Sequence, residues 1–148
     1  MKNIFIYLFF LTLLVTGCKK TDGGDIIKLS AKGHTFNAEG GSFTVTTEGT
    51  FWWIIECEVD SISYYPICTD ESTVNNYDGI AFYCNSFGKQ NHFESSKIEN
   101  DWFSITKENL QKIVFVVLPN ETGKVRKIRL HLEAGDYFTF IDISQAAE

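Results

Sequence analysis

Four tyrosines, Tyr64, Tyr65, Tyr77 and Tyr83, fall in a stretch of chain rich in Asp, Asn and Ser. That mixture suits a sugar site. The face of an aromatic ring packs on the C–H face of a pyranose, while carboxylates and amides take the hydroxyls. Tyr64, Tyr65 and Tyr77, with Trp52 upstream, are therefore the candidate glycan-stacking residues. Aromatic rings also build cores, each burying about 150–250 Å². Trp53, Trp102 and Phe115 are assigned to that role. With 3 Trp, 6 Tyr and 13 Phe, the chain has rings enough for both uses.

The remaining reactive side chains are Cys18, Cys57, Cys68, Cys84 and the histidines His34, His92 and His131. With Cys18 taken by lipid, as argued below, three thiols remain in an oxidising compartment, and one intrachain disulfide at most can form. Cys57–Cys84 would staple the tyrosine-bearing stretch to a strand. Cys57–Cys68 would close a smaller loop. The third arrangement is three buried thiols packing as small hydrophobes. No Cys-x-x-Cys and no close Cys/His pair exists, so no metal site is expected. Nor is there a Gly-x-Ser-x-Gly elbow, a His-Glu-x-x-His or a phosphate-cradling glycine loop. Glu56 and Glu58 share one face of a strand, the pattern of a solvated surface. The expectation is a non-catalytic protein without a cofactor.

The composition sets the frame. The 148 residues carry a net charge of −6 with no basic run, which excludes a nucleic-acid partner. At 44% apolar the chain is not a disordered tail, and its length suits one domain. Residues 1–17 stand apart. Lys2 is followed by an apolar run over residues 4–15, shorter than the ~20 residues a membrane-spanning helix needs. A basic start, a short apolar run and small residues make a secretory signal. Leu14-Val15-Thr16-Gly17-Cys18 resembles the lipobox of bacterial lipoproteins, which implies acylation of Cys18 and anchoring in the outer membrane. Two or three acyl chains hold where one binds only marginally. Residues 18–25 are then the lipidated Cys and a polar, glycine-containing tether. Surface-exported lipoproteins of the Bacteroidetes often carry acids directly after the Cys; Lys19 and Lys20 stand here instead, so either membrane face remains open. Removing residues 1–17 takes away one Lys and no acid, so the charge of −6 becomes −7.

The elements that must position these residues are strands. Residues 26–148 show period-two alternation and no sustained 3.6-residue period. Residues 42–47 alternate after Gly40-Gly41. Phe51, Trp53, Ile55, Cys57 and Val59 share one expected face, with Trp52, Ile54, Glu56 and Glu58 on the other. Residues 112–118 are apolar enough for a central strand covered on both sides. In residues 125–133, Ile128, Leu130 and Leu132 face inward, while Lys127, Arg129 and His131 face solvent. Pro119-Asn120-Glu121-Thr122-Gly123 and Ala134-Gly135-Asp136 read as hairpin connections. The whole is an all-β chain, an antiparallel β-sandwich of the immunoglobulin-like kind. Residues 57–100 are loosely patterned, with only residues 80–84 strand-like, and are expected to form a long loop-rich insertion.

Three blocks together resemble the BACON domain, an immunoglobulin-like β-sandwich module of secreted and lipidated Bacteroidetes proteins. They are Phe36 to Val45 with its Gly40-Gly41 turn; Trp52-Trp53-Ile54 with Asp101-Trp102-Phe103; and Pro119-Asn120-Glu121-Thr122-Gly123 through Gly135-Asp136-Tyr137 to Ile141-Asp142-Ile143-Ser144-Gln145-Ala146. The resemblance does not extend to residues 57–100. It implies a carbohydrate-associated envelope module, partnering the membrane through its anchor and glycans or mucin-type glycoproteins through its body. The rival expectation is a structural or accessory subunit that docks on an outer-membrane complex. Asp60-Ser61-Ile62 further resembles the O-glycosylation acceptor of Bacteroidetes envelope proteins, which marks Ser61. Asn120-Glu121-Thr122 matches an N-glycosylation acceptor, but turn chemistry accounts for it.

Overall fold

The computed structural model describes residues 27–70, 73–86 and 93–148. The expected signal sequence of residues 1–17, the expected lipidation site Cys18, the expected tether of residues 18–25 and His92 lie outside the described residues. Within them the chain forms β1 (Lys28–Leu29), β2 (Gly33–Phe36), β3 (Gly41–Glu48), β4 (Trp53–Val59), β5 (Ile62–Tyr64) and β6 (Val74–Tyr77). There follow β7 (Ile80–Ser86), β8 (Phe93–Glu99), β9 (Phe103–Asn109), β10 (Lys112–Val117), β11 (Arg126–Ala134) and β12 (Tyr137–Gln145). These strands make a β-sandwich. One sheet has the order β1-β3-β10-β9-β8-β7-β6 and the other β2-β12-β11-β4-β5. Pairing is antiparallel except for β2, which lies parallel to β12.

The inward residues of both sheets meet in one apolar core. Val45, Ile105, Ile113 and Phe115 from one sheet face Cys57, Leu130, Leu132 and Ile141 from the other, and all are fully buried. The expected alternation of β11 holds: Ile128, Leu130 and Leu132 are buried, and Arg129 and His131 are only half-buried. In β4 it does not. Trp52, Ile54, Cys57 and Val59 all point inward, while Trp53, Glu56 and Glu58 point out. A β-bulge explains the change. Leu132 pairs with Ile54 and His131 with Glu56, leaving Ile55 as the extra residue. Without it, the face that buries Trp52 and Ile54 would bury two carboxylates as well. β10 differs also. It is central, between β3 and β9, but its outward Val116 and the following Leu118 are exposed among the described residues.

The turns follow their residue types. Gly135 at φ 60° begins the two-residue hairpin between β11 and β12, where Ala134 pairs with Tyr137. Asp60-Ser61 and Asp78-Gly79 each hold two consecutive positive φ angles, the signature of a tight primed turn. Residues 119–123, in contrast, carry the chain from one sheet to the other and make no hairpin, since β10 and β11 belong to different sheets. Asn120 anchors that crossing. Its backbone N–H donates to the Ala38 carbonyl at 2.7 Å, and its side chain donates to Lys124 and Ala146. The buried Gln145 amide donates to the carbonyls of Ala38 and Leu118. The Asn-x-Thr-Gly and Ser-Gln-Ala blocks are thus polar stitches that satisfy backbone at the end of the sandwich.

The stretch of residues 57–100 holds more sheet than its pattern suggests. Beyond β7 it supplies β5, β6 and β8. β5 and β6 are short edge strands, where only one neighbour and one face constrain the residues, so alternation is weak. In β8 the inward positions include Glu94 and Ser95, which hides an inward face from hydropathy.

Candidate functional site

β5 is an edge strand of the smaller sheet and β6 an edge strand of the larger, and residues 65–70 and 73 are described between them. A groove opens there, lined by Ile62, Ser63, Tyr64, Tyr65, Ile67, Tyr77 and Asp78. Its volume is about 330 Å³, near the lower end of the ~300–1,000 Å³ usual for ligand sites. Three of the four candidate stacking residues therefore come together. Tyr64 is half-buried and packs against the core, whereas Tyr65 and Tyr77 are 58% and 40% exposed.

Local chemistry holds the groove in shape. Cys68 and Cys84 form a disulfide that ties the crossing segment to β7. Asn75 of β6 donates its side-chain amide to the Ile67 carbonyl. Thr73 caps the bend after the disulfide: its hydroxyl donates to the Asp70 carboxylate at 3.0 Å and accepts from the Asp70 N–H at 3.1 Å. The Thr73 carbonyl accepts from the Cys84 N–H. The Asp78-Gly79 turn then places Asp78 beside Tyr77 at the groove's end. Exposed ring faces, two isoleucines and one carboxylate on a braced backbone can stack a sugar ring and take its hydroxyls.

Trp52 is not part of this site. It is 2% exposed, and its indole N–H donates to the Leu110 carbonyl at 2.8 Å and to the Thr47 hydroxyl at 3.1 Å. The Lys107 ammonium sits 3.9 Å from its ring centroid. The reason is the bulge, which puts Trp52 on the inward face. Trp53 takes the outward face in its place, half-exposed and packed edge-on against the exposed Phe51 at 5.7 Å. Phe115 is fully buried, and Trp102 is half-buried against the core.

The disulfide also departs from both expected pairings, Cys57–Cys84 and Cys57–Cys68. Cys57 is a free, buried thiol. It lies on β4, in the sheet opposite β7, and packed sheets stand about 10 Å apart, beyond the ~7 Å Cα separation a disulfide tolerates. Burial pushes the Cys57 thiol far above its ordinary value, aided by Glu56 and Glu58, so it stays protonated and unreactive. Tyr83 lies away from the groove, on the outer face of the larger sheet, where its hydroxyl donates to Glu99 at 2.6 Å.

Sequence reading missed one grouping altogether. On the outer face of the smaller sheet, Glu56, Glu58 and His131 bring their ligand atoms within 4.8 Å of one another. The strand register makes this cluster, and no spacing along the chain announces it. Ser61 is exposed in the β4–β5 turn, at φ 71°. The neighbouring Asp60 carboxylate accepts from the Lys127 N–H at 2.8 Å, so that turn has a structural task of its own.

No family model matches the chain, and no curated protein matches it. Two solved structures are similar. A protein from Bacteroides thetaiotaomicron, known from an NMR structure, superposes with a TM-score of 0.58 at 18% identity, over 86% of this chain and 93% of that one. It shares the fold. A Bacteroides ovatus GH5 xyloglucanase in complex with a XXXG heptasaccharide superposes with a TM-score of 0.39 at 15% identity, over 82% of this chain and 19% of that chain.

Proposed function

We propose that this protein is a lipid-anchored, non-catalytic envelope module that binds glycans or glycoproteins in the groove between β5 and β6. The observation that carries this reading is the convergence of Tyr64, Tyr65 and Tyr77 on one braced surface with Asp78 beside them. Such a groove suits an extended saccharide better than an enclosed small molecule, because its rings are open to solvent along one side. The lipobox-like Cys18 and the BACON-like blocks support placement at the cell envelope.

The test is a glycan array followed by calorimetry. A hit should bind with Tyr65→Ala and Tyr77→Ala each weakening it about tenfold, equivalent to ~1.4 kcal/mol. Tyr64→Ala should cost stability as well, since that ring also supports the core. A blank across host and dietary glycans would overturn the proposal.

A second reading, an accessory subunit of an envelope complex, is favoured by a different surface. Phe51, Phe138 and Phe140 are 63%, 61% and 41% exposed. Co-purification of one stoichiometric protein that is lost in Phe138→Ser would support it.

A further inference from the structure

We propose that Glu56, Glu58 and His131 form a binding site for a divalent transition cation of the zinc class on the outer face of the smaller sheet. Three observations carry this. First, the register fixes the ligands. His131 of β11 pairs directly with Glu56 of β4, and Glu58 lies across from Arg129, two residues further along the same face. The bulge at Ile55 puts both carboxylates on that face. Second, the ligand atoms lie within 4.8 Å of one another, with His131 Nδ1 3.9 Å from Glu56 Oε2. A tetrahedral ion with ~2.1 Å bonds holds its ligand atoms about 3.4 Å apart. Side-chain rotation would have to close that gap. Third, the carboxylates are not neutralised by a direct ion pair with a basic side chain. Among the described residues, neither carboxylate is ion-paired with a lysine or arginine, and the partner of Glu56 is His131 itself.

The surroundings suit a cation. Arg129 stands across from Glu58 on the paired strand, and Asp142 holds it in a two-point pair at 2.7 and 3.1 Å. That pair offsets part of its charge, and Glu58 feels the remainder. The side chains of Glu56 and His131 are only 17% and 29% exposed, so the cluster is screened less than a flat surface would be. One imidazole with two carboxylates selects zinc, cobalt or manganese over calcium, which prefers all-oxygen cages. Three protein ligands would leave a fourth position for water, and Glu58 also lines a neighbouring groove.

The experiment is titration of the full chain with Zn²⁺ alone, followed by calorimetry, and with Co²⁺, followed by its visible absorption. The expected result is one ion per chain, a cobalt spectrum of the four-coordinate kind, and a melting temperature raised by Zn²⁺. Glu58→Gln and His131→Gln should each weaken binding at least about tenfold and abolish the cobalt bands. Melting in the presence of chelator shows that each variant is folded. Loss of ion binding in a variant that melts like the parent supports the site. Absence of stoichiometric binding, or binding unchanged by His131→Gln, overturns it.

Discussion

At the scale of single residues, the outer face of the larger sheet holds a small ionic group that makes stability depend on pH. Glu99 accepts from the Tyr83 hydroxyl and pairs with Lys97 at 2.5 Å. The Lys97 hydrogen bond, and after it that of Tyr83, holds the Glu99 carboxyl below its ordinary value of 4.5. The folded state therefore releases this proton more readily than the unfolded one. Its stabilisation is present above pH 4.5 and is lost as pH falls through the lower folded value. Urea unfolding of Glu99→Gln should show a shallower acid limb than the parent, with the two converging at the lowest pH. At the same scale, Gly40 meets a steric limit. It adopts φ 75°, and a Cβ there would lie 2.2 Å from the Val117 carbonyl oxygen, which is backbone and cannot swing away. Gly40→Ala should cost more than about 2 kcal/mol in chemical denaturation. The Gly40-Gly41 pair was legible in sequence as a turn. The close approach that makes Gly40 obligatory was not, because it involves a strand far along the chain.

At the scale of elements, β8 and β9 bury an ion pair between the sheets. The Lys107 ammonium donates to Glu94 at 2.7 Å and to the Trp52 carbonyl at 2.8 Å, and both side chains are nearly inaccessible. Burial pulls the Lys107 ammonium below its ordinary value, and Glu94 opposes that pull. Desolvation takes back most of what such a pair gains, yet removing one partner strands the other charge. Lys107→Met should therefore lose about 3–5 kcal/mol, and the double variant Lys107→Met/Glu94→Leu should recover most of it. Additive losses in urea unfolding would contradict this. The pair also explains why β8 escapes detection by pattern, since it spends an inward position on a carboxylate. β4 escapes for another reason: the bulge at Ile55 changes the parity of its faces midway, which no fixed period can follow. That single extra residue moved Trp52 from candidate binding residue to core and turned Glu56 and Glu58 toward His131.

At the scale of the whole molecule, the sandwich lets two edge strands of different sheets line one groove, and a disulfide braces their connection. Cys68 and Cys84 are separated by 16 residues. A loop of that size contributes about 3 kcal/mol by restricting the unfolded chain. Reduction should lower stability by roughly 2–3 kcal/mol and weaken any ligand held by Tyr65 and Tyr77, because the segment between them loses its anchor. Cys57 should resist thiol reagents in the native state and react only on unfolding. Rapid native labelling of Cys57 would contradict its place in the core.

Sequence alone determined the class of fold and the membership of the core in β11 and β12, where alternation is regular and both faces keep one character. It also singled out Tyr64, Tyr65 and Tyr77, because ring type and polar company are local properties. Only the tertiary structure decided which of these residues meet. The Tyr groove depends on β5 and β6 ending two different sheets on the same side. The Glu56–Glu58–His131 cluster depends on the β4–β11 register, and the disulfide on which sheet each cysteine enters. These are relations between segments far apart in the chain. They are set by packing and pairing, which side-chain chemistry constrains only after the sheets have closed on each other.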